Sequence, residues 1–348
     1  MSNTATSILR ILRNPKVVSG MGLGFIVVIV LWLVVNFVKD PTYFVNVGLD
    51  GLTRGSVYGV VALGYTLVYG ILQLINFAHG DVFALSGLVA STIILSMLNI
   101  SADSSGAAVA GAILVTLAIT VPLFAVVNGS IERVAYRPLR NAPRLAPLIT
   151  AIGMSFIVQN VSLALYGVDY ESGSNLIPQG AAFEIGDILV TWKLVTALAI
   201  IVPTLIALTW FVSSTRQGKA MRAVAQDTEA SAMMGINVNR TISVTFFIAG
   251  SLAAVAGLVF LLEYQMRYDT GFELGLIAFT AAVLGGIGNL AGAVLGALLI
   301  GFVQSFNEGL LWLAPGGDWT RSIVFGILIA VLVFRPEGLL GERTPEGA

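Results

Sequence analysis

Cysteine is absent, histidine occurs once, and charged side chains make up only 11% of the 348 residues. The first absence excludes disulfides and thiolate-held metals, and leaves the redox compartment open. The single histidine, His79, makes a poor metal site alone and leaves no Ser/His/Asp set to assemble. No G-x-x-x-x-G-K-[S/T] loop occurs: Gly218-Lys219 is followed by Ala220 and lacks the preceding glycine, so ATP has no phosphate cradle of that kind. There is also no Pro/Ser-rich linker or charge block to divide the chain, which reads as one domain over 1–348. These absences predict a non-catalytic chain without a cofactor or bound metal.

What the chain does have is apolar length. It is 57% hydrophobic, with a mean hydropathy of +0.91, above the ~45–50% apolar share of soluble domains. Apolar runs fall at 18–38, 52–73, 82–99, 107–128, 145–166, 191–212, 241–263, 276–288, 290–306 and 320–334. Most are long enough to cross a ~30 Å hydrocarbon layer as helices. The fold class is therefore all-α, a polytopic transmembrane bundle of about 8–10 spans, one or two of them short or broken. The run 276–288 is too short to cross upright.

Charge placement sets an orientation. With the N-terminus cytoplasmic, the inner segments carry Arg10, Arg13, Lys16, Arg133, Arg137, Arg140, Arg144, Arg216, Lys219, Arg222, Arg240, Arg335 and Arg343, 13 of the 18 basic residues. Lys39, Arg54, Lys193, Arg267 and Arg321 fall outside with most of the acids, including Asp169, Glu171, Glu184 and Asp187. Positive-inside counting puts both termini in the cytoplasm. The run 17–38 exceeds a signal-peptide core and lacks an A-x-A-like site before Lys39, so a retained first helix is expected. Arg133, Arg137, Arg140 and Arg144 set topology or meet anionic lipid headgroups.

The middles of the runs carry little charge; Arg54, Asp81, Glu263 and Arg321 read as span ends. Such a path does not couple to protons by side-chain titration and fits a conduit driven from outside itself. Two punctuations break the apolar pattern, 74–81 (LINFAHGD) and 284–292 (LGGIGNLAG). Paired helix breaks often flank a transporter's substrate path, which makes Asn76, His79, Gly286, Gly288 and Asn289 candidate path residues. Simpler roles stand beside that one. Gly288, Gly292 and Gly296, four apart, allow close helix packing. His79 caps a turn or bonds a backbone carbonyl. Asp81 caps the third helix. Asn76 touches substrate or satisfies backbone freed by the break.

A polar island spans Arg216–Arg240, with Arg216, Lys219, Arg222 and Arg240 beside Asp227 and Glu229. Lys219 to Met234 lacks Pro and Gly, which predicts one amphipathic helix stopped by Gly235. Met221, Val224, Ala225, Ala232, Met233 and Met234 supply its apolar side. That helix either wedges into a partner's groove or lies on lipid.

Here the chain resembles a known family. Glu229-Ala230-Ser231-x3-Gly235 is similar to the EAA-x3-G loop by which ABC importer permeases dock on ATPases. It departs in Ser231 for the third-position Ala, and in TFFI at 245–248 where I-x-L-P is absent. GLTRGSVYGVVALGYTLVYGILQLINFAHGD (51–81), YRPLRNAPRLAPLITAIGMSFIVQN (136–160), RAVAQDTEASAMMGINVNR (222–240) and FTAAVLGGIGNLAGAVLGALLIG (279–301) together resemble the LivH-type permease of branched-chain amino acid ABC importers, over about 45–340. Residues 1–40, with an extra helix, match least.

The resemblance implies a membrane-spanning permease working by alternating access. It implies two cytoplasmic ABC ATPase subunits, a second LivM-type permease and a periplasmic or lipid-anchored substrate-binding protein, in membrane lipid and without nucleic acid. Within the loop 213–240, Glu229, Ala230, Ser231 and Gly235 would couple to the ATPase, in a multi-pass protein of a bacterial or archaeal inner membrane. Branched-chain or other hydrophobic amino acids are the implied substrates. Close relatives carry urea or short amides, and a gradient-driven carrier or channel is the rival from another class. An intramembrane enzyme would need a polar catalytic cluster in the spans, and none is read there.

Overall fold

The computed structural model describes residues 15–140, 142, 143, 145–335 and 337–341, with the backbone alone for 15–26. Arg10, Arg13, Arg144 and Arg343, used above for orientation, lie outside the described residues, as does the Lys16 side chain.

Twelve helices are described: α1 (Pro15–Lys39), α2 (Pro41–Leu72), α3 (Ala78–Ser91), α4 (Gly106–Ile131), α5 (Leu145–Tyr166), α6 (Trp192–Ser214), α7 (Arg216–Gln226), α8 (Thr228–Met233), α9 (Val238–Glu263), α10 (Thr270–Gly285), α11 (Leu290–Gly309) and α12 (Thr320–Phe334). A π-helical turn carries α3 on through Met97, and π and 3-10 turns carry α4 on to Leu139. Among the described residues, 8 helical segments are long and apolar enough to cross a membrane. α10 is a shorter apolar helix, as is the Val27–Lys39 part of α1. The helical expectation holds, with two small sheets added to it. β1 (Glu171–Ser172) pairs antiparallel with β4 (Gln265–Met266), and β2 (Ala181–Ile185) with β3 (Ile188–Thr191). Both sheets belong to the end of the bundle opposite α7 and α8.

α2 begins at Pro41, eleven residues before the apolar run predicted from sequence. Asp40 caps it by accepting from the Tyr43 N–H at 2.9 Å, and Pro41 supplies a preset φ. It ends where Gln73 turns left-handed at φ 52°. The 32-residue helix is about 48 Å long, more than a hydrocarbon layer. Asp50 and Arg54 therefore sit within the helix. The same polar opening hid the helix start from a hydropathy reading.

α2, α3 and α9 form the centre, with 83%, 72% and 78% of their apolar stretches buried. α5, α6 and α12 lie outside, at 22%, 22% and 11%. Large apolar side chains are exposed along them, Ile149, Phe156, Ile206, Trp210 and Leu332 among them, as suits a surface that meets lipid. Lipid gives no hydrophobic drive between helices, so contact rests on close packing of small residues. Gly51, Gly55 and Gly301 bring the α2 and α11 backbones together, and Gly80, Gly271 and Gly275 do so for α3 and α10. Gly292 and Gly296 face α10 as their spacing predicts, but Gly288 lies in the turn before α11 at φ 94° and shares no helix face with them.

Gly257 of α9 meets α3 at Ser86. A Cβ there would fall 2.7 Å from the Phe83 carbonyl oxygen, on a hydroxyl that donates to Ala253 at 3.0 Å. Gly257→Ala is expected to lower stability by ~1–3 kcal/mol through overpacking. Thermal melting in detergent checks this, and an unchanged midpoint would refute so close an approach.

Candidate functional site

The polar island folds as two helices, which corrects the single helix predicted for Lys219 to Met234. Asp227 leaves helical geometry (φ −152°, ψ 110°) and caps α8, accepting from the Ala230 N–H at 2.8 Å. Aspartate before Thr228-Glu229 is a helix-start signal, and its side chain competes successfully with continuation of the helix.

α7 is an anchored piece. Gly218, Met221 and Val224 are buried, and α7 packs on α2, α6 and α9. At its joint with α6, Thr215 Oγ1 donates to the Phe211 carbonyl at 2.7 Å and accepts from the Gly218 N–H at 3.0 Å. Arg222 donates to the carbonyls of Val212 and Ser213 at 2.6 and 3.3 Å, so a cation satisfies the open end of α6.

α8 is a displayed piece. Ser231 faces inward at 5% exposure, while Glu229 is exposed and Met233 and Met234 stand at 82% and 84%. Ala230 is half-buried. Gly235, at φ 84°, closes the helix: its N–H donates to Ala232 and the Ile236 N–H donates to Ser231, each at 3.0 Å. That is a Schellman stop, as predicted for Gly235.

The α4 extension is tied to the start of α9. Glu132, 1% exposed, accepts from Arg140 and, at 2.8 Å, from the Ser243 hydroxyl. Arg140 also donates to Asn239 at 2.5 Å. Asn237 caps α9, accepting from the Arg240 N–H at 3.0 Å. Burial lowers the Arg140 pKa and Arg137 adds to this, while Glu132 pulls it up. Sequence reading placed Arg140 with the topology-setting basics and did not pair it with Glu132.

The two helix breaks adjoin. Gly70 approaches Gly288, Phe77 lies 6.4 Å from Phe279, and Ile75 and Ile287 line one small gap with Tyr65 and Tyr69. Asn76 is buried and accepts from the Tyr136 hydroxyl at 2.6 Å. His79 is wholly buried, edge-on to Tyr65 at 4.9 Å. The Val61 carbonyl is the group placed to accept from it, although neither ring nitrogen makes a bond of ordinary geometry. Asp81 accepts from Ser155 of α5 and not from the backbone at the start of α3, so its expected capping role is corrected. Gly286, at φ 108°, lies against Gly341, and Asn289 caps α11 at 2.9 Å while donating to Leu340 at 2.9 Å. The Leu339 and Leu340 N–H groups bond Leu284 and Gly285. The second break is thus covered by the segment after α12, which no local pattern in the sequence signals.

At the opposite end, α2 and α11 flank an open cavity of about 270 Å³ lined by Tyr43, Asn46, Val47, Asp50, Arg54, Ser305, Glu308 and Gly309. Arg54 and Glu308 pair there at 2.5 Å. They are 254 residues apart, so sequence reading did not join them. The only local hint is the i, i+4 spacing of Asp50 with Arg54.

The family described as branched-chain amino acid transport system, permease component, matches residues 48–333. The chain is 39% identical to the high-affinity branched-chain amino acid transport system permease protein BraD of Pseudomonas aeruginosa, over 86% of this chain and 96% of that one. Against the LivH protein of Escherichia coli the identity is 38%, over 87% and 97%. A more distant likeness, 27% over 88% and 91%, is to the galactose/methyl galactoside import permease MglC of Salmonella typhimurium.

Proposed function

This chain belongs to the family of branched-chain amino acid transport permease components, and from that premise we propose that it forms part of the pore of an ATP-driven importer, coupled through α8 to cytoplasmic ATPases. It is a multi-pass membrane protein and a non-catalytic transport subunit. The observation that carries the proposal is the division of labour in the polar island. α7 is fastened to α2, α6 and α9, while α8 exposes Glu229, Met233 and Met234. Motion imposed on α8 passes through the Asp227 joint to α7, and from there to the central helices. Two exposed methionines suit an adaptable contact with a partner's groove.

In this reading both ends of the chain lie in the cytoplasm of a bacterial or archaeal cell, and the strand-bearing end receives a binding protein. A second, LivM-type permease completes the pore. The adjoining breaks around Asn76, His79, Gly286, Gly288 and Asn289 form the inner gate, with the segment after α12 as its cover. ATP binding closes the ATPases, the bundle opens outward, and hydrolysis resets it. Hydrophobic amino acids such as leucine are the substrates.

A Glu229→Ala/Gly235→Val double variant tests the coupling, because valine at φ 84° is strained and the Glu229 contact is lost. The variant should insert and assemble normally but lose most ATP-dependent leucine uptake, at least about tenfold. Uptake at the unaltered rate would remove α8 from the coupling path.

A further inference from the structure

The cavity between α2 and α11 has no part in ATPase coupling, yet charge is concentrated around it. Its α2 wall is Tyr43, Asn46, Val47, Asp50 and Arg54, residues at helical spacing on one face; its α11 wall is Ser305, Glu308 and Gly309. Charged side chains on membrane helices are costly and usually mark a path or a site. Much of this charge is already committed. Glu308 accepts from Arg54 at 2.5 Å, Gln304 at 3.0 Å and Thr320 at 2.9 Å.

Several groups remain unspent. Arg54 Nε is buried without an acceptor, although the guanidinium lies 5.5 Å from the Tyr264 ring. Ser305 is only 4% exposed, lines the cavity, and its hydroxyl has no partner. Asp50 opens into the same space, with Arg54 and Lys193 near it through space and no side chain hydrogen-bonded to it among the described residues. A buried donor left without a partner is unfavourable, and two such donors, Arg54 Nε and Ser305 Oγ, belong to residues that line one cavity; an anionic group there, reached by a small turn of either side chain, would complete them. Asp50, four residues from Arg54, adds an anion at the same mouth. Val47 and the Tyr43 ring give an apolar wall.

We propose that this cavity is a binding station for a zwitterionic α-amino acid at the mouth of the path. Its carboxylate is held by Arg54 and Ser305, its ammonium by Asp50, and its side chain lies on Val47 and Tyr43. The volume of about 270 Å³ falls just below the ~300–1,000 Å³ of pockets for larger ligands. The assignment rests on the importer reading but adds that this permease, and not the binding protein alone, recognises the amino-acid backbone.

Two measurements test it. In the assembled importer, reconstituted with ATP, Arg54→Gln and Asp50→Asn should each cut leucine uptake about tenfold or more, with binding-protein capture unchanged. The charge-swapped R54E/E308R chain keeps an ion pair and should stay inactive. Recovery of uptake in the swap would make the pair structural, and loss of binding-protein capture in Arg54→Gln would make it a docking contact; either overturns the proposal.

The second measurement does not depend on transport. The chain has no cysteine, so Asn46→Cys places a single thiol on the cavity wall. Millimolar leucine should slow its labelling several-fold, and isopentylamine, which lacks the carboxylate, should not. Equal effects of the two, or none from leucine, would rule the station out. If the wild-type importer fails to move leucine while leucine still protects the thiol, the importer reading falls and the station stands.

Discussion

Replacing Met233 and Met234 together by aspartate is expected to abolish recovery of ATPase subunits with this chain, at least about a hundredfold. The two side chains are 82% and 84% exposed. Their substitution removes little from the fold, and the melting midpoint of the isolated chain should stay within a degree or two of wild type. If a partner groove buries them, each is a central apolar anchor, and such anchors lose ~2 kcal/mol or more when truncated. Two buried aspartates would then stand unpaired in the interface. The measurement is pull-down of a tagged chain in mild detergent, with quantitative mass spectrometry of the ATPases. Undiminished recovery would leave α8 lying on lipid, the alternative that its amphipathic composition also allows.

Arg140→Ala should be the most damaging single change to stability, at ~3–5 kcal/mol, because it leaves the Glu132 carboxylate buried with only the Ser243 hydroxyl. The double variant E132Q/R140Q removes both charges and should recover much of that loss. A double variant as unstable as Arg140→Ala would mean that packing, not the uncompensated charge, dominates. The pair matters beyond stability: it ties the end of α4 to the first turn of α9, beside α8. A loosened tie should weaken transport before it weakens ATPase recovery, which uptake and pull-down on one preparation would separate.

Much of this arrangement is legible in the chain itself. Apolar runs near twenty residues give the helical membrane class, since only helices or closed barrels satisfy backbone groups in lipid. Gly235 announces the stop of α8, because glycine adopts φ 84° without strain. The punctuations at 74–81 and 284–292 mark real breaks. Where the reading went astray, polar side chains were serving helices. Asp40 and the polar first turns of α2 extend it eleven residues, and Asp227 divides the island in two, with its cap signal present but outweighed by helix-forming neighbours.

The sequence alone determined the class of the protein, the position of its breaks and the island that carries α8, because each depends on local periodicity or on one residue's backbone preference. Tertiary structure decided which charges meet. Glu132 with Ser243, Arg140 with Asn239, Arg54 with Glu308, Asp81 with Ser155 and the tail at Leu339–Leu340 over the second break all join residues set on different elements. Their pairing follows from helix packing through glycine contacts, which fixes neighbours by shape. No local pattern carries that information.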